Sequence, residues 1–436
     1  MTNQLIILGN GFDVACGLSS SYTDFFRDRY SLHKWNPAEG ANLTDEDTKL
    51  AKHMLPNDGS INADFWKIDN PNFWDLVFLT DCQYGYNYDD GHDSATTWHD
   101  VETLIQQILD SLIENQAANS DGPELWTISD WISSCINRLT YCDAPFPIEN
   151  HSQTQFEFSL ARCLETYLDY RKVSPTGDAY YSSNAFITLK SELNNLEQAF
   201  SKYLSQVCVF AKHPGQYAGS HASWREKTTR NEQEKYRYTA NKLLNLIKGV
   251  DNQAGDSTSI LSFNYTTPFG KNETTRNIHG TTDNAIFGID PALTNVDDLG
   301  ISPDGRKIFT KDFRVLELHT NHRYEKILHP DGHKEHTLDS IKVFGHSLGD
   351  ADYSYFRTLF DDVDLYDGDT ALIFLYTAGA NVTELNNNVA QLIGKYALTL
   401  PEEKQQINLI TKLTLEGRLN IRYIPESEFK TETYLK

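Results

Sequence analysis

From residue 257 onward, short apolar runs alternate with helical stretches, and this alternation restricts the fold more than any other feature of the chain. Segments 259–264, 276–279, 285–288, 341–345, 371–376 and 419–424 read as strands, and 353–362, 382–396 and 402–414 read as helices. Apolar strands separated by helix-length connections build a largely parallel sheet covered on both faces. The apolar run 4–8 has the same character and is expected to join that sheet. A helix is expected over 22–30, carrying Tyr22, Phe25 and Phe26. Residues 31–95 are polar, aromatic and irregular. Apolar residues at 101, 104, 105, 108, 109, 112 and 113 make 98–114 an amphipathic helix, and 153–171 and 184–212 repeat the pattern. Residues 213–235 read as an exposed connection and 236–249 as a further helix. The expectation is one discontinuous α/β domain, residues 1–30 and 255–436, with a large, mostly helical insertion over 31–254.

The 436-residue chain carries a formal net charge of −23 and a pI near 4.9. That balance opposes a broad basic surface for nucleic-acid backbone or an anionic membrane. It leaves room for a local phosphate pocket. The six cysteines, at 16, 82, 135, 142, 163 and 208, form no C-x-x-C and no zinc spacing with histidine. With no signal-like start and no apolar run near ~18 residues, the chain reads as cytoplasmic, with reduced thiols and no membrane span.

Chemistry-bearing residues fall at the predicted strand ends. The run 4–8 breaks at once into Gly9-Asn10-Gly11-Phe12, with Asp13 next and Gly17 later. A strand, a glycine turn and a helix start together let backbone approach an anion. The third glycine comes too late for G-x-G-x-x-G, so the turn alone equally fits a simple change of direction. Asp13 fits a helix N-cap and also a carboxylate beside a developing positive charge. Asn264 ends one strand and His279 another. An amide can orient a hydroxyl or a water, and an imidazole can take a proton near neutrality.

Gly345-His346-Ser347-Leu348-Gly349 has the G-x-S-x-G form of a nucleophile elbow, which would make the chain a serine esterase acting through Ser347. That fold needs its histidine after the serine. His346 is the last histidine of this chain, so the chain order opposes the reading. Trp98, Asp100 and Glu102 read as a helix start with acids at its positive end. His319, His322 and Arg323 read as a surface polar cluster. His329, His333 and His336 lack a supporting carboxylate pattern, so no metal is expected.

These segments occur in the order of the sirtuin-like NAD-binding pattern: a glycine turn, an asparagine after a strand, His-Gly, and Gly-x-Ser-Leu. The chain more closely resembles the AbiH family of phage abortive-infection proteins. The motifs carrying that likeness are N-G-F-D-x-x-x-G-L from Asn10, the Trp98–Glu102 helix start, S-F-N-Y-T at 262–266, I-H-G at 278–280, and F-G-H-S-L-x-x-x-D ending at Asp352. The resemblance implies a Rossmann-like (sirtuin-like) sheet and a role in antiphage defence. It also implies NAD as substrate or ligand, with cleavage at the nicotinamide–ribose bond, as in an NAD glycohydrolase.

Carried over residue by residue, Gly9 and Gly11 approach the pyrophosphate, with Asn10 and Phe12 beside them. Asn264 holds the nicotinamide ribose or the attacking water. His279 acts as base or binds a ribose hydroxyl. Gly345, His346 and Ser347 lie at the adenosine half, and Asp13 is the residue of the opening turn that joins the chemistry. The paired C-x-x-C of the sirtuin deacylases is missing, so deacylation is not implied. A non-catalytic nucleotide sensor of infection is the alternative from a different class. Expected partners are a small nucleotide and a phage-derived trigger, with the helical insertion as the surface for self-association.

Overall fold

A computed structural model describes residues 3–29, 68, 71–84, 101–118, 127, 130–131, 184–207, 224–251, 257–269, 274–290, 304–319, 326–329 and 338–430. In chain order its principal elements are β1 (Asn3–Leu8), α1 (Gly11–Ala15), α2 (Tyr22–Arg29), α3 (Phe73–Tyr84), α4 (Val101–Ala118), α5 (Ala185–Val207), α6 (Trp224–Gly249), β2 (Ser257–Ser262), β3 (Thr274–Asn277), α7 (Asp304–Lys307) and α8 (Lys311–His319). There follow β4 (Ser340–Phe344), a 3-10 turn (Asp350–Asp352), α9 (Tyr353–Asp362), β5 (Ala371–Tyr376), α10 (Val382–Ala397), α11 (Glu402–Gln405), α12 (Leu409–Leu415) and β6 (Leu419–Tyr423). The chain divides into two compact units. One comprises Met1–Ser21, Ser201–Ala285 and Val315–Lys436; the other comprises Tyr22–Phe200 and Ile286–Arg314.

The first unit holds a six-stranded sheet of order β3-β2-β1-β4-β5-β6, and every neighbouring pair is parallel. The chain is therefore α/β. Leu5, Ile7, Leu261, Ile341, Val343, Leu372 and Phe374 project to one face, where Phe356, Phe360, Leu392, Ile393 and Leu413 cover them. The alternate residues Ile6, Leu8, Ile260, Ile373 and Leu375 are buried too, so water is excluded from both faces. Lys342 on β4 is fully buried. Its Nζ donates to the carbonyls of Ile247 and Lys248, 3.1 and 2.8 Å away, in the last turn of α6. A cation there satisfies carbonyls that the helix leaves open.

Register brings the strands out level. Leu8 pairs with both Ser262 and Phe344, and Ser262 pairs with Asn277. Residues after β1, β2, β3 and β4 thus emerge along one edge. Strand order also reverses at β1, which separates the earlier strands from β4, and such reversals open a crevice beyond the carboxyl ends.

In the second unit, Tyr22, Phe25, Phe26, Phe78, Phe200 and Phe287 form a connected aromatic cluster. Arg29 grips Asp75 as a fork, Nε to Oδ1 at 2.6 Å and a terminal nitrogen to Oδ2 at 2.7 Å. Lys311 pairs with Glu102 at 3.1 Å in the first turn of α4.

Several sequence expectations change. Residues 285–288 form no strand, because side chains take their backbone donors: Ser201 Oγ accepts from Ala285 N–H, and Glu197 Oε1 accepts from Phe287 N–H. The expected helix 402–414 divides into α11 and α12, since Asn408 caps a new start by accepting Thr411 N–H. α6 begins at Trp224, within the stretch expected as a connection, and α3 lies within the stretch expected to be irregular. The helix expected over 153–171 falls outside the described residues.

Candidate functional site

The two glycine turns interlock. Gly9 N–H donates to Phe344 O at 3.0 Å, and Gly11 N–H donates to Gly345 O at 2.8 Å. A Cβ on Gly9 would lie 2.4 Å from Gly345 O. Gly345 has φ +68°, and a Cβ there would lie 2.4 Å from Phe12 N. These glycines let the ends of β1 and β4 cross backbone to backbone, and the two amides they would offer a phosphate are already engaged. Gly17 also has local work. Its N–H bonds Val14 O while Leu18 N–H bonds Asp13 O, a left-handed stop that ends α1 after five residues.

The other residues of the opening turn face inward. Asn10 is the N-cap of α1, and its Oδ1 accepts from Ser20 Oγ at 2.7 Å. Phe12 is fully buried, edge-on to Phe344 and Phe269. Asp13 is not the N-cap; it lies inside the first turn, fully buried. Its Oδ1 accepts from Tyr236 Oη and its Oδ2 from Thr266 Oγ1, both at 2.7 Å, while those two hydroxyls stand 3.2 Å apart. Each hydroxyl has one hydrogen, so this three-group ring closes completely only when Asp13 carries a third. Burial accordingly pushes the Asp13 carboxyl up to about 6, against the lowering effect of the two hydrogen bonds. The same burial, with Asp13 nearby, raises the Cys16 thiol and leaves it protonated.

A second cluster sits at the ends of β2, β3 and β4. Phe263 packs edge-on to His279, His346 and Tyr355, with ring centroids 5.2, 4.4 and 5.5 Å away. Asp352 lies between the histidines. His279 Nε2 is 3.3 Å from its Oδ1, and His346 Nε2 is 3.2 Å from its Oδ2. His346 Nδ1 accepts the N–H of Leu348 at 2.8 Å, so its proton belongs on Nε2, facing Asp352. Leu348 makes that bond from a left-handed backbone, φ +61°. Asp352 is formally the N-cap of α9, yet its side chain accepts no capping hydrogen bond.

Asn264 adjoins Phe263 and is 3% exposed. Its backbone N–H donates to Ser262 Oγ at 3.2 Å, and its carbonyl accepts from Asn277 Nδ2 at 2.6 Å. Its side-chain Oδ1 is buried and finds no hydrogen-bond partner among the described residues. An acceptor left so costs about 1–3 kcal/mol. Ser347 is exposed and engages Asn388 Nδ2 through its carbonyl at 2.9 Å. The left-handed residues of this turn are Gly345 and Leu348, whereas an elbow would place the strained conformation on the serine itself.

His279 and His346 are brought together at Asp352. Asn264 follows Phe263, which packs on both rings, and Asp13 bonds Thr266 two residues further along. Asp352, Thr266 and Tyr236 were not assigned roles from sequence. Asp352 was within reach, as the last residue of the motif that begins at Phe344. Tyr236 had no signal, being a tyrosine in a charged helix 223 residues from its partner. His329 pairs with Asp362 at 2.9 Å, and Glu102 pairs with Lys311. Trp98, Asp100, His322, Arg323, His333 and His336 lie outside the described residues. Among the described residues, no group of three or more His, Cys, Asp or Glu is placed to hold a metal ion, and no helix is long and apolar enough to cross a membrane.

The six-stranded parallel sheet with helices defines an α/β protein, and polar side chains gather at its carboxyl edge. Within that class, the family described as bacteriophage abortive infection AbiH matches residues 5–374, and the chain belongs to it. Membership places it in abortive-infection defence against phage. No curated protein and no solved structure matches the chain.

Proposed function

We propose that the protein serves phage defence as a nucleotide-handling enzyme, with a Rossmann-like sheet that binds NAD and hydrolyses its nicotinamide–ribose bond. The observation that carries this reading is Asn264 Oδ1, a buried acceptor awaiting a donor, on the residue that follows Phe263, whose ring packs on the histidines of the strand-end cluster. A ribose hydroxyl or an attacking water supplies that donor. The strand order supports the reading, being the doubly wound order whose crevice takes dinucleotides.

In the proposed reaction, the C–N bond between C1′ and nicotinamide breaks, and its electron pair leaves with neutral nicotinamide. A water oxygen bonds to C1′, and its proton passes to His279 and then to solvent. Water, NAD, nicotinamide, ADP-ribose and one proton balance. Asn264 orients the water or a ribose hydroxyl, and the buried setting strengthens each polar contact as charge develops. Gly9 and Gly11 keep the β1 and β4 turns close enough to form the crevice floor, and a phosphate would draw on other donors. Asp13 acts from behind, through Thr266.

Chromatographic measurement of nicotinamide release tests this reading. Pure protein, activated as infection requires, is expected to release nicotinamide, and Asn264→Ala and His279→Ala each to lower the rate at least ~100-fold. Release that survives both substitutions overturns the site. Tight nucleotide binding without release favours a sensor.

A further inference from the structure

We infer that Asp352 is the positioning residue of this site, holding His279 in the tautomer that lets Nδ1 accept a proton. This rests on the proposed hydrolysis. The carboxylate has two oxygens and divides them between two rings: Oδ1 faces His279 Nε2 at 3.3 Å, and Oδ2 faces His346 Nε2 at 3.2 Å. His346 is the brace. Leu348 N–H occupies its Nδ1, so Nε2–H points at Oδ2 and fixes the carboxylate plane. Asp352 then offers Oδ1 to His279. At 3.3 Å the approach is an ion-pair contact rather than an aligned hydrogen bond, and the nearby anionic oxygen acts through its field, favouring a proton on Nε2 and leaving the lone pair on Nδ1. Phe263, edge-on to both rings, keeps them apart on opposite sides of the carboxylate.

The position of Asp352 supports this assignment. An aspartate at a helix start ordinarily caps it, and this one has given up that bond. The left-handed Leu348 points the same way, since a non-glycine residue in that conformation costs about 1–2 kcal/mol and here supplies the N–H that orients His346. The logic is that of a carboxylate orienting a catalytic imidazole. Among the described residues, the titratable groups facing His279 include Asp352 on the 3-10 turn and Tyr355 on α9, its ring centroid 6.1 Å away. His346 lies beyond Asp352 on the turn after β4. Removing the negative charge therefore lowers the affinity of His279 for a proton.

Proton NMR of the His279 ring, followed against pH in the full-length protein and in Asp352→Asn, tests the pairing directly. The titration midpoint is expected to fall by about 1 pH unit or more in the variant. The acid limb of nicotinamide release is expected to move the same way, with kcat reduced at least ~10-fold and KM little changed. Nitrogen-15 shifts of the unaltered protein are expected to show His279 protonated on Nε2, a readout that stands even if the variant does not fold. An unmoved midpoint, or a His279 protonated on Nδ1, overturns the assignment. Absence of nicotinamide release in the unaltered protein defeats the proposed reaction but leaves both NMR readouts to decide the role of Asp352.

Discussion

At the scale of single residues, the glycines and Asp13 divide the work of the opening turn. Gly345→Ala meets both a costly left-handed φ and the backbone nitrogen of Phe12. Gly17→Ala meets only its φ of +87°, with open space around it. Thermal or denaturant unfolding is expected to show a loss of about 1 kcal/mol for Gly17→Ala and of more than ~3 kcal/mol for Gly345→Ala. Equal losses would contradict the interlocked turns. Asp13 makes stability depend on pH. Its native carboxyl is raised from 3.8 to about 6, so the folded state holds the proton more tightly than the unfolded chain. That contribution is fully present below 3.8 and disappears as pH rises through 6. Relative to Asp13→Asn, the unaltered protein is expected to lose on the order of 3 kcal/mol across this window. A stability difference constant between pH 4 and 7 would refute the buried titration.

At the scale of elements, stability rests on how strands and helices end. Lys342 closes α6 from the middle of β4, so Lys342→Met removes a donor from the Ile247 carbonyl, which keeps only a long bond from Val250 N–H, and from the Lys248 carbonyl. It is expected to cost about 1–3 kcal/mol in equilibrium unfolding, and an unchanged midpoint would show that water replaces the ammonium. Strand periodicity was legible in the sequence because both faces are apolar, and β5 falls on the predicted residues 371–376. Residues 285–288 misled because the same apolar spacing serves a segment bonded by Ser201 and Glu197 side chains, which a local pattern does not contain. The break between α11 and α12 depends on Asn408, whose capping role competes with helix continuity.

At the scale of the molecule, the parallel sheet was legible from alternation alone, and family membership from the order of short motifs. His279 and His346 meet at Asp352 because each stands at the end of a strand. What stayed hidden arises from contacts between distant segments: the Tyr236–Asp13–Thr266 ring, the sharing of Asp352, and the engagement of the Gly9 and Gly11 amides by the β4 turn. The first is joined only by folding, and the last turns an apparent phosphate loop into a packing device. On the proposed reading, the strand-end turn carrying Asn264 binds a nucleotide. Isothermal titration of NAD into the purified protein and into Asn264→Ala tests it most directly. Saturable binding by the unaltered protein, weakened at least ~10-fold in the variant, is the predicted result; equal affinity in both, or no heat of binding in either, would contradict it.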